Sequence, residues 1–209
     1  MNDYLDHLNV SQRKAVEHIS GPLMVIAGAG SGKTRVLTYR IVHLLKNGVD
    51  PFNILSLTFT NKAAKEMKER VEKIVGLDAK NIWMGTFHSV FAKILRYEAD
   101  KLGYPSNFTI YDTDDSKALL RRIIKEMNLD SDLYKINIVQ SRISSFKNNL
   151  ITVKAYNNNA ELKTQDDSSH RPQMGDIYER YVKECFKSAA MDFDDLLLKT
   201  NELLFRHPD

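Results

Sequence analysis

Residues 27–34, Ala-Gly-Ala-Gly-Ser-Gly-Lys-Thr, carry the densest chemistry in the sequence. A glycine-rich turn ending in Gly-Lys-Thr can aim backbone N–H groups at phosphate oxygens, and the dipole of the helix that follows adds to the field. On this reading Ala27, Gly28, Ala29, Gly30, Ser31 and Gly32 form the cradle. Lys33 reaches the β and γ phosphates as a point charge, and the Thr34 hydroxyl ligates Mg2+. Gly30 and Gly32 supply backbone angles and a close approach that side chains would obstruct. The strict pattern G-x-x-x-x-G-K-[ST] has glycine where this chain has Ala27, but alanine keeps the position small enough for the turn. The alternative is a glycine-rich turn with a chance Gly-Lys-Thr, and the flanking sequence argues against it. Such a loop points to a nucleotide and leaves the job open among kinases, GTPases, ATPase motors and transporters.

The elements that must position this loop are legible as alternating patterns. Residues 22–27, Pro-Leu-Met-Val-Ile-Ala, form a short apolar run that predicts a buried parallel strand before the loop. Val36, Leu37, Ile41, Leu44 and Leu45 have helical spacing after it, with Gly48 past the end. Residues 53–59 predict a second strand, residues 61–76 a helix with Ala63, Ala64, Met67, Val71, Ile74 and Val75 on one face, and residues 81–86 a third strand followed by another helix. Alternating strands and helices imply a parallel sheet with right-handed crossovers, whose ligands bind beyond the carboxyl ends of the strands. The loops after the three strands should then share a face. Beyond residue 105 the pattern turns helical: one short strand near residues 108–112, then helices over 113–127, 134–148, 175–190 and 193–205. The polar stretch 157–173 reads as a mobile loop. The fold class expected is α/β, a parallel sheet incomplete at its C-terminal end and interrupted by a mainly helical insertion. Three divisions follow: 1–105, an N-terminal nucleotide-binding part; 106–190, the insertion; 191–209, a return towards the sheet.

The 209 residues are 43% hydrophobic and 27% charged, ordinary for a globular chain able to bury a core. The lone Cys185 permits no intrachain disulfide, which suits a reducing compartment. No apolar run approaches the roughly 18–20 residues of a membrane span, and the polar N-terminal stretch is no signal peptide, so a cytoplasmic protein without membrane contact is expected. Residues 30–75 carry nine Lys/Arg against four Asp/Glu, while residues 190–209 carry two against five. The basic segment can attract polyanions or can simply be a solvated helix face.

Five segments together resemble the N-terminal motifs of UvrD/Rep/PcrA-type superfamily 1 DNA helicases: residues 8–12 (LNVSQ), 27–35 (AGAGSGKTR), 58–67 (TFTNKAAKEM), 85–89 (GTFHS) and 191–197 (MDFDDLL). Order and spacing match, and the resemblance covers the whole chain. It implies a RecA-like P-loop NTPase fold, ATP with Mg2+, and a 3′ to 5′ motor acting on single-stranded DNA and duplex junctions in repair or replication. Gln12 then matches a glutamine that hydrogen-bonds the adenine edge, though Asn9 and Gln12 also read as a helix capping box. Arg35 matches a nucleotide-contacting arginine or is a solvated residue in the first helical turns. The resemblance places Thr58, Phe59, Thr60 and Asn61 against single-stranded DNA, with Phe59 packing on a base and the others bonding phosphate or sugar. Phe59 can equally be a strand-end core residue, and Lys62 a solvated charge. Thr86, His88 and Ser89 are backbone-phosphate contacts by the same geometry. No second His, Cys or acidic residue stands at ligand spacing from His88, which argues against a metal role. Asp192 reads as a helix cap with Asp195 near the positive end of the helix, so neither Asp194 nor Asp195 is assigned to Mg2+.

ATP hydrolysis in the family needs an Asp-Glu pair at the end of a further strand, and no apolar strand followed by Asp-Glu occurs here. The expectation is the N-terminal part of a first motor domain, contributing to ATP and DNA binding but inactive as a hydrolase by itself. Three alternatives remain at this stage. The chain can belong to the motor subunit of a helicase–nuclease complex, to a non-catalytic nucleotide-gated DNA-binding module, or to a small-molecule kinase.

Overall fold

The computed structural model describes residues 4–208, so that Met1 to Asp3 of the polar N-terminal stretch, and Asp209, lie outside the described residues. The chain divides into two compact units, one up to Val90 and one from Phe91.

The first unit holds helix α1 (Val10–Glu17), helix α2 (Lys33–Lys46), strand β1 (Leu55–Thr58), helix α3 (Asn61–Val75), strand β2 (Trp83–Thr86) and the start of helix α4 (Phe87–Tyr97). β1 and β2 pair in parallel, from Leu55 opposite Trp83 to Thr58 opposite Thr86. Parallel neighbours need a long crossover, and α3 supplies it. Met67 and Val71, one turn apart on α3, pack with Ile41 of α2 and with Ile54 and Ile82 beside the strands. Gly76 ends α3 at φ 71°, a conformation that favours glycine.

The second unit holds strand β3 (Thr109–Tyr111), helices α5 (Thr113–Glu126), α6 (Ile136–Asn148), α7 (Val153–Asn157), α8 (Ala160–Ser168) and α9 (Met174–Lys187), strand β4 (Ala190–Asp192) and helix α10 (Phe193–Arg206). β3 and β4 pair in parallel, with Tyr111 opposite Asp192. The larger core gathers Leu120 and Ile123 of α5, Val139, Ile143 and Phe146 of α6, and Ile177, Tyr178 and Tyr181 of α9. A smaller one packs Leu95, Phe108, Met191, Leu196 and Leu203. α5 and α10 both begin with a capping box, at Asp112/Asp115 and Asp192/Asp195.

The structure is therefore α/β and mostly helical, with short parallel strands. Three expectations need correction. The single parallel sheet is two separate pairs, β1–β2 and β3–β4. Residues 22–27 belong to no strand. Met24 is 82% and Ile26 91% exposed, whereas Leu23 and Val25 line a cleft with Val36 and Leu37 of α2. Exposure alternates along the run, from 43% at Leu23 and 46% at Val25 to the higher values at Met24 and Ile26, but no ladder forms, since a strand requires a bonded neighbour and β1 pairs only with β2. The loop expected over 157–173 is mostly helix α8. Asp166 of α8 is 4% exposed; it accepts hydrogen bonds from Arg142 Nε at 2.9 Å and from the Tyr156 hydroxyl at 2.9 Å. A polar composition suggested solvation, whereas one buried carboxylate ties the segment to α6 and α7.

Asp166→Ala leaves Arg142 Nε and the Tyr156 hydroxyl without this acceptor, Arg142 keeping only its bond to Gln165 Oε1, and should destabilise the chain by roughly 2–4 kcal/mol in urea unfolding. A change below about 0.5 kcal/mol, the range of ordinary surface substitutions, would show that α8 packs without this anchor.

Candidate nucleotide and DNA site

The glycine-rich loop turns directly into α2. Gly30 and Gly32 have φ of 75° and 87°, and Gly32 is the N-cap with no side chain capping the first turn. The first N–H groups of α2 thus have no side-chain acceptor, and a phosphate is the group they suit. Ser31 closes the turn by donating its hydroxyl to the Gly28 carbonyl at 2.7 Å. Lys33 Nζ donates to the carbonyls of Ala27 and Gly28, each at 2.8 Å, so the ammonium is held over the loop. Thr34 is exposed in the first turn of α2. The donor set fits a polyphosphate: uncapped amides, one lysine held over the loop and one exposed hydroxyl for Mg2+.

Gln12 joins this loop to α1. The capping box is formed, since Gln12 N–H donates to Asn9 Oδ1 at 2.9 Å and Asn9 N–H donates to Gln12 Oε1 at 3.1 Å. The same side chain donates through Nε2 to the Ser31 carbonyl at 3.0 Å. It is a cap and a strut of the loop at once. The φ of Gly32 favours glycine, and a Cβ there would come 2.7 Å from Gln12 Nε2 and displace the amide from its place on the loop.

Sequence reasoning missed two features here. Arg40 donates to the Ala15 carbonyl at 2.9 Å and to the His18 carbonyl, satisfying the C-terminal end of α1. It sits on the polar side of α2, where pattern alone reads a solvated charge. A cleft of about 530 Å3 opens beside Gly32, lined by Arg35, Tyr39, Arg70, Lys73 and Ile74 among others. Arg35 thus stands next to the loop in company with cations of α3, of which Arg70 also pairs with Glu66. The basic balance of residues 30–75 foreshadowed the charge but not its convergence.

The parallel register of β1 and β2 brings the loops that follow them to one end. Phe59 is 91% exposed, and its ring lies 5.4 Å from that of Phe87 at 43°. The core reading of Phe59 is therefore excluded. Asn61 is exposed at the start of α3. The hydroxyls nearby are engaged in local structure. Thr58 Oγ1 donates to the Thr60 carbonyl at 3.2 Å, and Thr60 caps α3 by accepting from Ala63 N–H at 3.2 Å. Thr86 is 9% exposed; its Oγ1 bonds Ser89 Oγ at 3.0 Å and accepts from Ser89 N–H at 3.3 Å. Ser89 Oγ lies 2.9 Å from the Thr86 carbonyl. His88 is half-buried in the first turn of α4. The arrangement offers one exposed aromatic and two helix starts at one edge, with Thr60, Thr86 and Ser89 shaping it.

Comparison with known proteins follows the same lines. The chain is 44% identical over 210 residues to the ATP-dependent DNA helicase PcrA of Staphylococcus aureus, and 43% identical over 216 residues to the PcrA of Staphylococcus epidermidis. Each match covers 100% of this chain and 28% of the relative, so the chain spans little more than a quarter of the length of these relatives. The family described as the UvrD/REP helicase N-terminal domain matches residues 8–209. The fold, the glycine-rich loop and these matches agree: the chain belongs to the UvrD/REP helicase family, over its N-terminal domain.

Proposed function

We propose that this chain is the nucleotide-binding part of an ATP-dependent DNA helicase that moves along single-stranded DNA, 3′ to 5′, in repair or replication in the cytoplasm. The observation that carries the reading is the pairing of two features in one unit. One is a phosphate cradle, with Lys33 over the loop; the other is an exposed aromatic at the shared end of β1 and β2. Membership of the family and the ATP-dependent DNA helicase activity for which the PcrA relatives are named support it.

In this reading Lys33 and the amides of residues 28–32 hold the phosphates, Thr34 holds the Mg2+ site, and Gln12 and Arg35 face the base and sugar. ATP with Mg2+ supplies the phosphoryl transfer that drives the motor. Phe59 stacks on a base of the strand, and Asn61 and His88 meet its backbone. Thr58, Thr60, Thr86 and Ser89 serve the same edge by fixing its turns and by their backbone amides at helix starts. The strand lies beside a duplex junction in the working complex. Domain limits at residues 105 and 190 separate the nucleotide-binding part from the insertion, with 191–209 leading back to it.

Two outcomes test this. Residues 1–209 should bind a fluorescent ATP analogue with Mg2+, Lys33→Ala should abolish that binding, and neither should hydrolyse ATP, because the Asp-Glu pair is not in this sequence. Robust hydrolysis by the wild-type chain, lost in Lys33→Ala, would contradict the assignment of roles. Phe59→Ala should leave stability within about 0.5 kcal/mol of wild type, as its exposure dictates. In the complete protein it should weaken single-strand binding by roughly 1–3 kcal/mol in a fluorescence titration. An unchanged affinity would remove Phe59 from the DNA path.

A further inference from the structure

Residue 147 occupies a place in α6 where the apolar stripe calls for a hydrophobe. Val139, Ile143 and Phe146 are buried beside it, and the Lys147 side chain is wholly enclosed. Its ammonium lies 2.7 Å from Asp192 Oδ2 and 2.9 Å from Asp195 Oδ1, with the Tyr181 ring centroid at 4.9 Å. The two carboxylates are linked in turn by the capping box of α10. Asp195 N–H donates to Asp192 Oδ1 at 2.8 Å, and Asp192 N–H donates to Asp195 Oδ2 at 3.2 Å. The Tyr181 hydroxyl donates to Asp192 Oδ2 at 2.9 Å. Every oxygen of both carboxylates has a donor. The next residue, Asn148, donates to Asp194 Oδ1 at 3.0 Å. Two successive residues of α6 therefore grip the first turn of α10.

One ammonium faces two carboxylates. Burial alone would lower the Lys147 pKa, but the charges of Asp195 and Asp192 push it well up. Burial opposes ionisation of Asp192 too, yet Lys147 holds it below the usual carboxylate range. Burial pushes Asp195 up, and the neighbouring Asp192 charge adds to that against the pull of Lys147. The other titratable groups around the cluster are Tyr104, Tyr178, Tyr181 and Cys185, all raised by burial, Tyr178 and Cys185 to about 12. Further charges in this neighbourhood are Asp194 in the same turn of α10, Asp112 on the cleft and Glu202, which acts on Tyr104. The adjoining cleft, about 370 Å3, is lined by Tyr111, Ser116, Gln140, Ser144, Phe193 and Asp194 among others.

We propose that Lys147 is the positioning residue of the β4–α10 corner, an electrostatic latch that fixes where α10 begins and so sets the wall of the adjoining cleft. Apolar packing brings α6 and α9 together; the charge balance of Lys147 with Asp192 and Asp195 decides how α10 meets them. Removing Lys147 leaves two facing carboxylates buried without their cation, and removing the Asp195 charge as well relieves their mutual repulsion and returns the cluster to its original net charge.

The test compares Lys147→Met with Lys147→Met/Asp195→Asn in the chain of residues 1–209, by hydrogen exchange over residues 193–197 and by thermal melting. At pH 7.5 the single variant should lose protection in this turn by roughly a hundredfold or more. The double variant should recover much of it. Without Lys147 the folded-state carboxylate pKa values rise above the unfolded value of about 3.9. The stability of the single variant is then fully present below that value and lost as pH rises through the raised ones. Its Tm should climb from pH 7.5 to pH 5, and the gap to the double variant should close. Equal protection in both variants, or a gap that pH does not change, would overturn the proposal. If Lys147→Met does not fold at pH 7.5, the double variant still decides: folding supports the latch and failure to fold overturns it.

Discussion

The parallel pairing of β1 with β2 is the constraint on which the candidate site rests. Parallel neighbours run the same way, so both chains leave the pair at the same end, and whatever follows each strand is delivered there. Thr58 opposite Thr86 fixes that end to the residue. Phe59 and Phe87 come next in each chain and meet. α3 and α4 then start side by side, with the capping hydroxyls of Thr60 and Thr86 already engaged. The edge is thus assembled by backbone pairing and caps before any ligand is considered. It leaves Phe59 almost wholly in solvent, an apolar ring that is costly in water and useful to a flat partner.

The glycine-rich loop depends on a different device. Its shape comes from two glycines at positive φ, and its placement from contacts to neighbouring backbone. Lys33 ties back to Ala27 and Gly28, Gln12 reaches Ser31 from α1, and Arg40 closes the end of α1 from α2. Gln12 shows how one residue meets two demands: its backbone and Oε1 complete the helix cap while Nε2 braces the loop. A residue doing both has little freedom in type, because a shorter or charged side chain would forfeit one of them.

Much of this was legible in the sequence, for reasons that can be named. The glycine pattern and Gly-Lys-Thr identify the loop because its geometry demands those residues. Asn9/Gln12 and Asp192/Asp195 identify helix starts because capping is a local interaction of adjacent residues. Helices such as α3 and α9 follow from apolar spacing. The misses share one cause, dependence on partners distant in the chain. Residues 22–27 have a strand's composition, yet a strand exists only where a neighbour bonds it. Residues 160–168 look solvated, yet Asp166 is buried by Arg142 and Tyr156. Lys147 carries a strong local signal: a lysine four residues after Ile143 and beside Phe146 stands on the buried stripe. A charge there requires an opposite charge from elsewhere in the fold.

The most direct test of the account is the steady-state ATPase rate of the complete protein, measured with and without single-stranded DNA and with Lys33→Ala as the blank. Hydrolysis that depends on Lys33 and rises strongly with single-stranded DNA is the predicted result, because the proposed function couples the nucleotide at the glycine-rich loop to the strand at the Phe59 edge. Hydrolysis indifferent to DNA would contradict it, leaving the phosphate loop in place but separating it from the edge around Phe59.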